Sequence, residues 1–135
     1  MTNTTIESKV ALLPKRIEDV YAFMADMNHH GQIIPPEEAE LQSTEHTCSF
    51  TITGTGNLKL RIKEKLLNKL ISIEPDGKAP FSFVLIWKFK KNKTGCMANA
   101  VIEATMNPII KMVATKPLKK FLDMQADGLM RHFAE

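Results

Sequence analysis

The sequence predicts an α+β protein in which a curved, seven-stranded antiparallel sheet wraps around one long C-terminal helix, with two short helices after the first strand. Three observations support this fold class. Apolar and polar residues alternate with a period of two from residue 38 to residue 106, which is typical of antiparallel strands that bury one face. Helical periodicity replaces this alternation on both sides of the segment, and it extends furthest at the C-terminal end. At 135 residues, the chain is expected to form one domain, residues 1–135.

The N-terminal segment is predicted to hold one strand and two short helices. Residues 4–12, TTIESKVAL, form the first strand, which Pro14 ends. Apolar residues at helical spacing then predict an amphipathic helix over residues 15–26. A second short helix is expected near residues 28–34, with Asn28 as its N-cap and a proline pair after it.

Six strands follow, and turn sequences separate them at residues 54–57, 75–77 and 92–95. The first turn contains TGTGN, residues 53–57, which resembles the start of a glycine-rich phosphate loop. A phosphate loop must lead into a helix whose N-terminal amides hold the anion, whereas here the alternating strand LKLRIK follows. We therefore interpret the glycines as hairpin residues and expect no nucleotide site there.

A long helix ends the chain. Asn107 and Pro108 are suited to cap and open it, and Pro117 is expected to kink or restart it. From residue 118 to residue 133 one arc of the helix is apolar and includes Gln125 and His132, which are about two turns apart and face the same way. Their polar atoms either project into a ligand cavity or, for Gln125, bond to nearby backbone or buried water while His132 lies at a fraying end. A separate apolar patch comes first in the helix: Ile109, Ile110, Met112 and Val113.

The order of these elements resembles that of the START-like superfamily, also called SRPBCC or helix-grip, which includes polyketide cyclases and lipid-transfer proteins. The resemblance covers nearly the whole chain and depends on three segments: KRIEDVYAFMAD at 15–26, EATMNP at 103–108 and KPLKKFL at 116–122. It implies a helix-grip fold, and it supplies no catalytic residue. A cone-shaped α+β fold that ends in strands fits less well, because this chain ends in helix.

The resemblance implies that the protein binds or transports a small hydrophobic or amphipathic ligand in a cavity between the sheet and the last helix. A few polar groups in a mostly apolar pocket would set its specificity. The predicted lining is Phe50, Ile52, Leu60, Ile62, Phe83, Leu85, Trp87, Ala100, Ile102, Phe121, Met124 and Gln125. Two alternatives stay open. One is an enzyme of the polyketide cyclase type, and the other is a protein-interaction module with a filled core, for example a homodimer, that uses an exposed face of Val84, Ile86 and Val101.

Three further positions have side chains suited to acid–base chemistry. Adjacent residues on a helix point about 100° apart, so His29 and His30 do not form one site. We expect exposed loop histidines there, with Asp26 near enough to orient one of them. Glu64 has the parity of inward-facing residues, and in a dry site it could act as an acid or base, but a place in water at the rim of the sheet is favoured. We therefore assign no catalytic residue, no metal ligand and no cofactor.

The charge pattern argues against a polyanionic partner. A net charge of +3 is small. Basic residues cluster on one strand face (Lys59, Arg61, Lys63, Lys65) and near a later turn (Lys88, Lys90, Lys91, Lys93). Nucleic-acid binding would need interleaved aromatic residues for stacking. Because the clusters lack them, we expect solvated faces and no nucleic-acid partner.

Cys48 and Cys96 have neither metal nor redox spacing, so free, buried thiols in a cytoplasmic protein are expected. The polar start MTNTTIESKV and the lack of an apolar run of about 20 residues predict neither a signal peptide nor stable membrane insertion. Methionines are concentrated in or beside the helices, where they either fill the core or suit a deformable pocket. The row of small residues Ala98, Ala100 and Ala104 likewise either lets the last helix pack closely or leaves space for a ligand.

Overall fold

The computed structural model describes residues 2–34, 39–52, 56–79 and 81–134, and within them eight strands form one antiparallel sheet. The strands are β1 (Thr2–Glu7), β2 (Ala11–Leu13), β3 (Ala39–Ser43), β4 (Thr47–Ile52), β5 (Gly56–Leu66), β6 (Leu70–Pro75), β7 (Ser82–Asn92) and β8 (Gly95–Met106). The helices are α1 (Ile17–Met24), a short 3-10 helix (Met27–Gln32) and α2 (Pro108–His132). The predicted α+β class, with short helices early and one long helix at the end, is confirmed.

The sheet follows the order β1-β8-β7-β6-β5-β4-β3, and β2 pairs with β8 beyond β1. The six strands predicted between residues 38 and 106 are all present. β4 and β5 pair antiparallel from Ile52 opposite Gly56, so TGTGN lies between two strands, as expected. Residues 53–55 of that turn lie outside the described residues.

The prediction of one strand over residues 4–12 is wrong, because β1 and β2 both pair with β8 but are separated at residues 8–10. At Ser8 a side chain takes the place of a backbone acceptor in the strand pairing, because the Ser8 Oγ accepts a hydrogen bond from the Ala100 amide at 2.9 Å. The next amide turns away from the sheet, and Lys9 N–H donates to Asp123 Oδ1 on α2 at 2.7 Å. The strand is therefore interrupted where it meets the long helix.

The short helices differ from the prediction in the residue that caps the second one. Asp26, and not Asn28, caps the 3-10 helix, since the Asp26 carboxylate accepts a hydrogen bond from the Asn28 amide at 2.9 Å. At Pro117, where a kink or a restart was expected, helix α2 continues without a restart. A proline removes the hydrogen bond to the carbonyl four residues earlier, here that of Val113. Val113 is exposed, so water can bond that carbonyl. The predicted cap is confirmed: Ile110 N–H donates to Asn107 Oδ1 at 2.8 Å.

The hydrophobic core lies between the sheet and α2, which packs against β8, β1 and β2. The helix also reaches the far side of the sheet, where the Phe121 ring meets the Phe50 ring of β4 edge to face at 5.2 Å. Aromatic residues of β7 lie directly opposite alanines of β8, in the pairs Phe83–Ala104, Trp87–Ala100 and Phe89–Ala98. Large and small side chains thus alternate across these two strands.

Candidate functional site

The predicted lining residues share the inward side of the fold. The buried ones are Phe50, Leu60, Phe83, Leu85, Trp87, Ala100, Ile102, Phe121 and Gln125. Ile62 and Met124 are half-buried at the edge of the same core, and the side chain of Ile52 lies outside the described part of the chain. Strand parity and helix periodicity therefore bring these residues to one interior, and their contact with a ligand stays a prediction.

That interior is packed. Trp87 is 0% exposed, and Phe50 and Phe121 are each 1% exposed. Ala98, Ala100 and Ala104 are also buried, on the strand against which α2 packs. This arrangement favours the interpretation in which the small residues let the helix approach closely.

Three buried polar atoms in this interior have no hydrogen-bond partner among the described residues: Thr4 Oγ1, Trp87 Nε1 and Gln125 Nε2. Leaving a buried polar group unpaired costs about 1–3 kcal/mol, and native proteins leave very few unpaired. The tryptophan and glutamine nitrogens are N–H donors, whereas the threonine hydroxyl both donates and accepts. A fourth such atom, Asn68 Oδ1, belongs to the turn between β5 and β6.

Sequence reasoning identified Trp87 and Gln125 but missed Thr4. Thr4 and Ile6 have the same parity on β1, and both are buried. Threonine is common on exposed strand faces, so its residue type gave no signal. The sequence signal that could have identified Thr4 as buried is its position two residues before Ile6, on the same side of the strand.

An open cleft, most of whose lining residues face outward from the sheet (among them Thr5, Val84 and Glu103), lies between β6 and β7 where the two strands separate. Their pairing ends at Ile73 opposite Leu85, so the first residues of β7 pair only with β8. The resulting β6–β7 cleft has a volume of about 610 Å³, and the inward-facing Thr4 and Phe83 lie in its wall. Its charged lining residues are Lys63, Glu74 and Glu103. The lining of this cleft is therefore largely polar, whereas the core on the inward side of the same strands is apolar.

The two adjacent histidines do not form a site. Their rings donate hydrogen bonds to backbone carbonyls at the C-terminal end of α1. His30 is buried, and its Nε2–H donates to the Met24 carbonyl at 3.0 Å. Its burial lowers the pKa of His30, so the ring is held neutral. The His29 Nδ1–H donates to the Phe23 carbonyl at 2.7 Å. Both carbonyls belong to the last turn of α1, which has no further helical donors.

The expectation of exposed loop histidines is therefore wrong for His30, and His29 is half-buried. Asp26 does not orient either ring through a hydrogen bond, because its carboxylate caps the 3-10 helix. Helix-end carbonyls explain both placements, and they depend on a turn geometry that the sequence pattern did not show.

His132 does not join Gln125 in the interior. Its ring is exposed and lies 4.3 Å from the Phe23 ring, which also stacks on His29 at 4.6 Å. Phe133 meets the same Phe23 ring edge to face at 5.2 Å. The last turn of α2 thus packs against α1 through an aromatic cluster, while its buried Leu129 belongs to the core.

Glu64 is exposed. A bulge in β5 changes the register, so that Ile62 lies opposite Ile73 but Glu64 lies opposite Ser72. The inward parity predicted for Glu64 is therefore wrong, while the favoured placement in water is confirmed.

The two basic clusters are exposed, as expected. Within the first, Arg61 forms an ion pair with Glu74 at 2.8 Å. The apolar face proposed for an interaction module is less open than that alternative requires: Val101 is buried, and Val84 and Ile86 are half-buried.

Both cysteines are free and buried, as predicted. Burial raises the pKa of Cys48 to about 12, and it also raises the pKa of Cys96. Neither thiol is therefore suited to act as a nucleophile at neutral pH. Histidine, cysteine and acidic side chains form no metal-binding group of three within the described ranges. The described helices include none that is long and apolar enough to span a membrane.

Comparison with protein-family models found no match, and comparison with curated protein sequences found none. Solved structures with a similar fold do exist. Norcoclaurine synthase from Thalictrum flavum has a TM-score of 0.76 at 12% identity, over 99% of this chain and 95% of that chain. A START superfamily protein from Mycobacterium smegmatis has a TM-score of 0.68 at 11% identity, over 98% and 95% of the two chains. The di-domain ARO/CYC protein StfQ from the steffimycin biosynthetic pathway has a TM-score of 0.65 at 17% identity, over 98% of this chain and 51% of that longer chain.

Proposed function

Because the chain has the START-like, helix-grip fold, we propose that it binds a small amphipathic molecule between the inward face of the sheet and α2. One observation carries this proposal: Thr4 Oγ1, Trp87 Nε1 and Gln125 Nε2 are buried without hydrogen-bond partners among the described residues. A bound molecule with an oxygen acceptor would pair one or more of them. Its binding would therefore recover free energy that the empty protein loses to desolvation.

The β6–β7 cleft is the proposed mouth of this site. Phe83 lies in the cleft wall, and Phe83, Leu85 and Trp87 are successive inward-facing residues of β7. Four residues of strand span about 13 Å, which is the distance from the cleft wall to Trp87 along the sheet. This distance supports an elongated apolar ligand whose acceptor atom lies at its inner end, within reach of Trp87 Nε1, while its other end lies at the cleft.

Binding in this packed interior requires side chains to move. The Phe50–Phe121 ring pair occupies the space between the sheet and α2. Met106 is buried and Met124 is half-buried at the core edge. Methionine has three rotatable bonds and repacks readily around different shapes. We therefore propose that the ligand displaces flexible side chains rather than entering a preformed void.

The buried groups support binding more than catalysis. The buried polar residues in the described part of the chain are Thr4, Ser8, His30, Ser72 and Gln125, and no carboxylate is among them. His30 is bonded to a helix-end carbonyl and Ser8 to the Ala100 amide. The acidic residues that share the cleft with Thr4, namely Glu74 and Glu103, are not buried, so we propose no reaction.

The probe for this proposal is 1-anilinonaphthalene-8-sulfonate, which joins apolar rings to a sulfonate acceptor. Saturable binding should raise its emission and the melting temperature of the protein. A ligand that binds only the folded state adds about 2.7 kcal/mol of stability at 100 times its Kd. Native mass spectrometry of freshly purified protein, followed by denaturation, would reveal a co-purified molecule directly.

Two variants locate the probe. Gln125→Leu removes one buried donor and should weaken dye binding by roughly tenfold, since a hydrogen bond to a charged acceptor contributes about 1.5–3 kcal/mol. Gln42→Leu changes an exposed glutamine and should leave dye affinity unchanged. Met112→Ser, on the exposed surface of α2, should also leave it unchanged. Equal affinity in the parent and Gln125→Leu would exclude Gln125 as the partner of the dye, and loss of binding in Met112→Ser would refute an interior site.

A further inference from the structure

The N-terminal part of α2 exposes large apolar side chains. Ile109, Met112 and Val113 are 75%, 80% and 66% exposed. Their spacing of three and four residues places them side by side on one face of the helix. The predicted apolar patch also contained Ile110, which is half-buried against the core. Single exposed apolar residues are ordinary, but a contiguous stripe marks an interaction surface.

The same part of the helix is strongly basic. Lys111, Lys116, Lys119 and Lys120 all lie in residues 104–122, where the sequence has no aspartate or glutamate. Lys119 pairs with Asp123 at 3.2 Å, one helical turn further on. Lys116 is exposed and Lys111 is half-buried. Lys116 follows Met112 and Val113 by four and three residues and therefore adds positive charge to the face of the stripe, whereas Lys111 lies on the opposite, core-facing side of the helix.

We propose that this surface, formed by Ile109, Met112, Val113 and Lys116, docks on the surface of an anionic lipid bilayer. Apolar side chains of an amphipathic helix sink to the boundary between headgroups and acyl chains, while lysines on its flanks contact anionic headgroups. The helix lies on the bilayer in this arrangement and does not cross it, in keeping with its apolar content. A second copy of the chain fits the surface poorly, because two such faces would bring lysines together.

Docking would also orient the β6–β7 cleft. Thr105 lines that cleft, and α2 begins three residues later at Pro108. The docked helix would hold the mouth of the cleft close to the lipid. This consequence for ligand uptake rests on the proposed function, whereas binding to the bilayer does not depend on it.

Co-sedimentation with lipid vesicles tests the proposal without any ligand. The protein should bind vesicles of phosphatidylcholine containing about one-third phosphatidylglycerol, and it should not bind pure phosphatidylcholine vesicles. Added salt should weaken this binding, because it screens exposed charges. The double variant Met112→Ser/Val113→Ser should bind at least about tenfold more weakly. The variant Lys116→Gln should bind about fivefold more weakly, the effect of one lysine near an anionic surface.

Matched variants elsewhere provide the controls. Leu67→Ser changes an equally exposed apolar residue, 75% exposed in the β5–β6 turn. Lys90→Gln/Lys93→Gln removes two exposed lysines from the second basic cluster. Both should bind vesicles like the parent, and all variants should keep the circular dichroism spectrum of the parent.

Three results would overturn the proposal: no binding to anionic vesicles at low salt, equal binding to neutral vesicles, or unchanged binding of both Met112→Ser/Val113→Ser and Lys116→Gln. A concentration-dependent dimer that Met112→Ser/Val113→Ser abolishes would instead assign the surface to a second copy of the chain. If the parent protein binds anionic vesicles but does not bind the dye, the interior site is refuted and the membrane-docking proposal is not.

Discussion

Replacing Gln125 with leucine should make the protein more stable while impairing its ability to bind a ligand. Gln125 is 1% exposed, and its Nε2 has no partner among the described residues. Leucine has a similar volume and no polar atom. The substitution removes an unpaired donor that costs about 1–3 kcal/mol, so the free energy of unfolding should rise by about that amount. For a chain of this length, the melting temperature should rise by roughly 4–12 °C.

Urea denaturation followed by Trp87 fluorescence and by circular dichroism measures this change. The dependence of the unfolding free energy on urea should keep its slope, since the exposed surface on unfolding is nearly the same. Gln42→Leu, an exposed substitution, should change stability by no more than about 0.5 kcal/mol. If Gln125→Leu lowers the free energy of unfolding by about 1 kcal/mol or more, Gln125 has a structural partner such as a buried water. The inference that its donor serves a ligand would then be wrong.

Three further predictions test the packing and the titrating groups. Gly128→Ala should destabilise the protein by about 1–3 kcal/mol in thermal denaturation, because the added Cβ would overlap the Ile33 carbonyl; an unchanged melting temperature would contradict this. Stability should fall as the pH drops below about 6.5, since burial lowers the pKa of His30 and the unfolded chain therefore takes up the proton first. His30→Gln should remove that part of the pH dependence, so equal slopes in both proteins would count against it. The buried Cys48 thiol, whose pKa is raised to about 12, should react slowly with a thiol reagent in the native protein and quickly after unfolding; rapid native reaction would show that it is accessible.

The strands were predictable because their signal is local. Alternation with a period of two identifies a half-buried strand without knowledge of its neighbours, and all six central strands are present. The break between β1 and β2 was not predictable in this way. It depends on the hydrogen bond from the Lys9 amide to Asp123, more than a hundred residues away. The β5 bulge that turns Glu64 outward is likewise absent from the alternation pattern.

The candidate site was predictable in part. Parity placed Trp87 inside, and helical periodicity did the same for Gln125. Whether their polar atoms have partners depends on what the neighbouring elements offer, and residue type does not encode that. Periodicity also found the apolar patch of α2, but it could not show that Met112 stays exposed.

The indole N–H resonance of Trp87 tests the interior site most directly. Trp87 is the only tryptophan, so a nitrogen-15 correlation spectrum contains one such signal. Titration with 1-anilinonaphthalene-8-sulfonate should move this resonance downfield and saturate together with the dye emission, because the buried N–H gains an acceptor. Saturation of the dye with an unmoved Trp87 resonance, and with shifts confined to the exposed face of α2, would contradict ligand binding between the sheet and the helix.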